Sequence, residues 1–275
     1  MSRFFPGSVA RAALAFLTLS ALAAPGARAE PGASDWSKGQ TSAARLVSSG
    51  GPVNGVYNAG VEIRLDPGSL TYWRTPGDAG VPPVFSFAGS RNLSSVKVIY
   101  PAPRRFEEGG EVVFGYREDI VFPLVVAPLD ATKPVELALD LQYAACDRIC
   151  IPAQARANLR LSPGEPASPL ASRVAAFAAR APKPAEGAGA PEFRIAPETA
   201  AKPSWSVRVS PRGNGQGELF ASFPDGWYFE TKATADGHSL TLDQRPPDAA
   251  SEVEVTLTWV TGGEAWEKSL RLAWR

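Results

Sequence analysis

VELALDLQYAAC at residues 135–146 and CIPAQARANLRL at residues 150–161 are separated only by Asp147-Arg148-Ile149. In the first segment Val135, Leu137, Leu139, Leu141 and Tyr143 take every second position, and in the second Ala155, Ala157, Leu159 and Leu161 do the same. Alternation with a period of two turns one face of a segment to a core and the other to water, as in a half-buried antiparallel strand. The two segments therefore predict a hairpin whose reversal carries Cys146 and Cys150, the two cysteines of the 275-residue chain.

The same rhythm extends in both directions. Upstream it runs through Val61-Ile63-Leu65, Val96-Val98-Tyr100 and Ile120-Phe122-Leu124-Val126, with Pro and Gly between the runs. It stops over residues 163–203, a Pro/Ala-rich stretch that reads as a linker. Within the linker one short helix is expected: Ser168 caps it, Pro169 takes the first turn, Leu170, Val174 and Phe177 line one face, and Pro182 ends it. Alternation resumes at Trp205-Val207-Val209, Leu219-Ala221-Phe223, Leu240-Leu242, Val253-Val255-Leu257-Trp259 and Leu270-Leu272-Trp274. The strand spacing predicts an all-β protein of two immunoglobulin-like β-sandwich domains, residues 30–162 and 204–275, joined by that linker.

Composition narrows the functional classes. Arg3 and Arg11, an apolar run from Ala12 to Ala24 and then Ala27-Arg28-Ala29 make a secretory signal over residues 1–29, which places the mature chain outside the cytoplasm. The apolar run is too short for a good membrane span, and no later stretch approaches 18 consecutive apolar residues. Without the signal, 25 basic residues face 28 acidic ones, so no basic field attracts nucleic acid or anionic lipid. Gly213-Asn214-Gly215-Gln216-Gly217 reads as a hairpin turn rather than a phosphate loop, and no nucleotide cofactor is expected. His238, the one histidine, lies in Asp236-Gly237-His238-Ser239, a turn in which it reads as a solvated residue rather than a general base.

The cysteine pair admits three readings. Positions four apart in an extended strand lie about 13 Å apart, whereas a disulfide needs Cα atoms within about 7 Å, so residues 147–149 must turn for the pair to close. A structural staple is the first reading, but a five-residue ring is worth only about 2 kcal/mol against ~4.7 for a hundred-residue loop. Thiol–disulfide exchange, in which a thiolate attacks a disulfide sulfur, is the second. Arg148 favours a neighbouring thiolate and Asp147 opposes it. Capture of a soft ion such as Cu(I) is the third, although a closed zinc site needs four ligands, and no metal is assigned.

Four motifs in order, PGSLTYWRTPGDAG (67–80), PAPRRF (101–106), FGY (114–116) and QYAAC through CIP (142–152), resemble the N-terminal periplasmic region of the DsbD/ScsB family of disulfide reductases. PDGWYF (224–229) and LDQRP (242–246) look similar to the second periplasmic module of the ScsB branch. The resemblance implies an immunoglobulin-like redox domain that takes electrons from a membrane-embedded partner and hands them to periplasmic thiol-disulfide proteins. It makes Cys146 and Cys150 the redox pair, with Cys150 the site of the mixed disulfide. It places a shielding loop at Glu108 to Tyr116 with Phe114 as the cap, and Tyr72 and Trp73 near the cysteines. Relatives continue into membrane and thioredoxin-like domains whereas this chain ends at Arg275, so delivery of electrons in trans is expected. A non-catalytic scaffold with a structural disulfide is the competing expectation.

Overall fold

The computed structural model describes residues 30–147, 149–210 and 217–274, with Met1. The expected signal at 1–29 beyond Met1, the expected turn at 213–217 short of Gly217, and Arg148 lie outside the described residues.

The strands are β1 (Ser37–Lys38), β2 (Ser42–Ser48), β3 (Tyr57–Leu65), β4 (Thr71–Gly77), β5 (Val84–Ser86) and β6 (Leu93–Val98). Next come β7 (Arg104–Glu108), β8 (Glu111–Tyr116), β9 (Ile120–Pro128), β10 (Val135–Cys146) and β11 (Cys150–Leu161). Helix α1 (Ala171–Ala178) separates these from β12 (Lys183–Pro184), β13 (Glu192–Glu198), β14 (Ser204–Ser210) and β15 (Glu218–Ser222). The chain closes with β16 (Tyr228–Thr234), β17 (Gly237–Gln244), β18 (Glu252–Thr261) and β19 (Glu264–Ala273).

The N-terminal sandwich packs the sheet β1-β2-β3-β9-β6 against two smaller sheets, β11-β10-β5 and β4-β8-β7. Its core draws the alternating residues Val61, Ile63, Phe122 and Leu124 from the first sheet and Leu137, Leu139, Leu141 and Tyr143 from β10. The C-terminal sandwich stacks β12-β19-β18-β15 on β13-β14-β17-β16 around Trp205, Val207, Leu240, Val255 and Leu257. The fold is all-β and immunoglobulin-like, as the alternation implies. Among the described residues no helix is long and apolar enough to cross a membrane.

Two local expectations are corrected. The helix begins at Ala171, two residues later than expected, and its N-cap position is Leu170 with no side-chain cap. Ser168 acts just outside it, its Oγ accepting a hydrogen bond from the Leu170 amide at 3.1 Å. The apolar face is as expected: Leu170, Val174 and Phe177 lie on Val47 and Val121 of the large N-terminal sheet. The stretch 163–203 is more than a linker, because β12 and β13 fall within it and pair with β19 and β14. Phe193 and Ile195 alternate as a strand requires, but the surrounding Pro, Ala and Gly mask so short a run.

Candidate redox site

The β10–β11 ladder holds one register from Val135↔Leu161 to Cys146↔Cys150, so alternation alone delivers both cysteines to the last pair before the reversal. Their Cα atoms are 4.1 Å apart and the sulfurs form a disulfide. The two ends differ in exposure: Cys146 is fully buried, whereas Cys150 is exposed beside Ile149, which is 71% accessible. A protein that reaches this tip meets Cys150 first.

A second element is tied to the tip. Leu70 and Cys146 exchange backbone hydrogen bonds of 2.7 and 2.9 Å, and the Thr71 hydroxyl donates to the Ala144 carbonyl at 2.9 Å. These bonds seat the start of β4 so that the next residue, Tyr72, meets the sulfurs. Its hydroxyl lies 2.9 Å from Cys146 Sγ, 3.1 Å from Cys150 Sγ and 3.0 Å from Glu108 Oε2. Burial, followed by the hydrogen bond to Glu108, holds the Tyr72 phenol well above the usual tyrosine range, so it remains a proton donor at any physiological pH.

Glu108 comes from the end of β7. The β7–β8 hairpin turns through Gly109 and Gly110, both at positive φ (61° and 91°), where glycine carries no Cβ penalty. Gly115 permits the close approach of β8 to β4, since a Cβ there would meet the Thr71 carbonyl oxygen at 2.1 Å. Glu108, Cys146 and Cys150 bring their ligand-type atoms within 4.8 Å of one another. With the sulfurs joined, neither cysteine offers a thiolate to a metal.

Phe114 sits elsewhere. It is 8% exposed and packs edge-on against Phe220 of β15 with ring centroids 5.0 Å apart, away from the sulfurs. Parity explains this. On β8, Val113 joins the cluster of Leu70, Tyr72, Ala144 and Cys146, so the adjacent Phe114 points the other way. The aromatic ring packed against that cluster is Phe106, the β7 partner of Val113. Trp73 is likewise core, its ring 5.9 Å from Phe220. His238 lies within strand β17 rather than in the preceding turn, edge-on to Trp259 at 5.4 Å.

Glu108 and Phe106 were not singled out as functional from the sequence. The available signal was the position of Glu108 immediately before Gly109-Gly110, a tight-turn pair that fixes where a strand-end side chain stands.

The architecture and the site together define an immunoglobulin-like β-protein with a disulfide at a hairpin tip. Residues 43–162 match the family described as thiol:disulfide interchange protein DsbD, N-terminal. The fold is also similar to the N-terminal periplasmic domain of ScsB from Proteus mirabilis, with a TM-score of 0.69 and 21% identity, covering 89% of this chain and 99% of that one. A search of curated proteins gave no match.

Proposed function

We propose that the protein is a periplasmic thiol–disulfide exchange module that passes reducing equivalents between protein partners through Cys146 and Cys150. The observation that carries this reading is the asymmetry of the pair: Cys150 is exposed at a hairpin end, and Cys146 is buried under a hydroxyl donor. On this reading the chain is exported by the segment 1–29, residues 30–162 form the redox unit, and residues 204–275 form most of a second unit. The donor is a membrane-embedded thiol protein, and the acceptors are periplasmic thiol-disulfide proteins.

The chemistry follows from the geometry. A donor thiolate attacks Cys150 Sγ, the Cys150–Cys146 bond breaks, and a mixed disulfide forms between donor and Cys150. Cys146 leaves with the electron pair, and the Tyr72 hydroxyl meets the developing charge with a hydrogen bond. The second donor thiolate then attacks the donor sulfur of the mixed disulfide and releases Cys150. Two electrons and, after protonation, two protons have entered the dithiol. The reverse sequence reduces an acceptor disulfide. Exposed apolar residues, Ile149 at the tip and Val81 and Val84 further along the hairpin beside Gln142 and Tyr143, suit contact with a protein better than with a small polar thiol.

Single-cysteine trapping tests the assignment. With Cys146→Ala, Cys150 should retain partners as stable mixed disulfides in periplasmic extract, and with Cys150→Ala these should vanish while the fold persists. Exchange activity undiminished in the Cys150→Ala protein would refute the reading. A disulfide that no physiological dithiol equilibrates with would leave the scaffold alternative standing.

A further inference from the structure

Tyr72 and Glu108 reach the sulfurs from β4 and β7, the two outer strands of the sheet β4-β8-β7. Each of these strands also carries an arginine held by the C-terminal sandwich. Arg74, two residues beyond Tyr72, forms an ion pair with Glu267, donates to Ser222 Oγ at 2.9 Å and reaches Thr258 Oγ1 at 3.4 Å. Thr258 in turn donates to Glu267 at 3.0 Å, which fixes the carboxylate. Arg105, three residues before Glu108, reaches Thr231 Oγ1 at 3.2 Å and lies 3.8 Å from the Glu218 carboxylate.

The β4 ladder gives these contacts their importance. Pairing with β8 is regular at Thr71↔Tyr116 and Tyr72↔Gly115, then becomes irregular until Gly77↔Val113. Immediately after the residue that touches the disulfide, β4 thus loses its regular pairing, and the C-terminal sandwich supplies the anchorage instead. Trp73 is part of the same grip, edge-on to Phe220.

We infer that the C-terminal sandwich tunes the disulfide, with Arg74 and Arg105 as positioning residues that hold Tyr72 and Glu108 in register with Cys146 and Cys150. The inference deepens the exchange reading and rests on it for biological meaning, although not for its test. The Tyr72 hydroxyl stabilises a sulfur that carries negative charge more than a disulfide sulfur, so it favours the reduced form. Loosening β4 weakens that bond and moves the equilibrium toward the disulfide.

The experiment measures the dithiol/disulfide equilibrium constant in glutathione buffer, with no protein partner present, for the full chain. Glu267→Gln removes the charge that anchors Arg74 from a position in the other sandwich, and Arg74→Ala removes the anchor itself. Both should shift the constant toward disulfide by up to about fivefold, the worth of one hydrogen bond, or about 20 mV. Tyr72→Phe should shift it the same way, and Glu267→Gln should add nothing in the Tyr72→Phe background. If Arg74→Ala does not fold, Glu267→Gln decides alone. A folded Glu267→Gln protein with an unchanged constant, or one whose shift persists without the Tyr72 hydroxyl, overturns the inference. Failure to trap any protein partner refutes the exchange reading but leaves this equilibrium measurable.

Discussion

Replacing Glu108 with Gln should increase the thiolate content of the reduced protein, and replacing Tyr72 with Phe should decrease it. The carboxylate lies within 4.8 Å of both sulfurs. At that separation two like unit charges repel by about 3.5 kcal/mol at an effective dielectric of 20 and about 0.9 kcal/mol in bulk water. Glu108 is half-exposed and Cys150 is exposed, so screening favours the low end, about 1 kcal/mol. That energy corresponds to a roughly fivefold rise in thiolate at neutral pH. Gln keeps a carbonyl oxygen for the Tyr72 hydroxyl, so the geometry survives and only the charge is lost. A less basic thiolate is also a poorer nucleophile, with a Brønsted slope of about 0.4–0.5, so alkylation at neutral pH should accelerate only two- to threefold. The assay pairs thiolate ultraviolet absorbance with the alkylation rate of reduced protein, and the gain should shrink in high salt. Tyr72→Phe removes the donor and should move both readouts the opposite way. Unchanged or lowered thiolate in Glu108→Gln would refute the claim that this carboxylate acts on the sulfurs.

Two further outcomes follow from the packing. Phe220→Ala removes a fully buried ring from between Trp73 and Phe114 and should destabilise the protein by about 3–5 kcal/mol in urea unfolding, whereas a loss under about 1 kcal/mol would show that the contact is dispensable. Alkaline pH should also destabilise it. Burial raises the phenols of Tyr72 and Tyr116 above the usual range and pushes Tyr100 up to about 12, so the folded state keeps protons that unfolded tyrosines release near pH 10. Stability should be complete below about pH 10 and decline as pH rises toward the folded values, and urea midpoints that stay flat from about pH 8 to 11 would contradict this.

What the sequence made legible was whatever depends on local periodicity. Val135 to Tyr143 and Ala155 to Leu161 have nothing but a period of two to declare them, and the structure pairs them in one unbroken register down to the cysteines. β13 escaped because Phe193 and Ile195 offer only two core-type positions before Pro197 interrupts. Phe114 shows a different limit. FGY located the right strand, but one residue of parity decides whether a side chain faces Cys146 or Phe220, and Val113 holds the position facing the cysteine. The meeting of Tyr72 with Glu108, 36 positions apart, depends on the order β4-β8-β7, in which the later strand β8 inserts between two earlier ones. No local pattern encodes that insertion.

Phe220 bears on how independent the two sandwiches are. It belongs to β15 of the C-terminal sandwich, yet its contacts place it in the core of the N-terminal one. Around this apolar centre Arg105 stacks over Phe114 at 4.8 Å and Arg74 over Trp73 at 4.4 Å, each guanidinium also reaching across to the C-terminal sandwich. An apolar centre ringed by polar contacts is the anatomy of a specific interface, and here it lies inside one chain. Separating the sandwiches would expose Phe220 and leave two arginines without their partners. Rigid docking is therefore the low-energy state. On the inference drawn above, a change at Glu267 or Glu218 therefore acts on Arg74 or Arg105, and so on the strands that carry Tyr72 and Glu108 to the sulfurs.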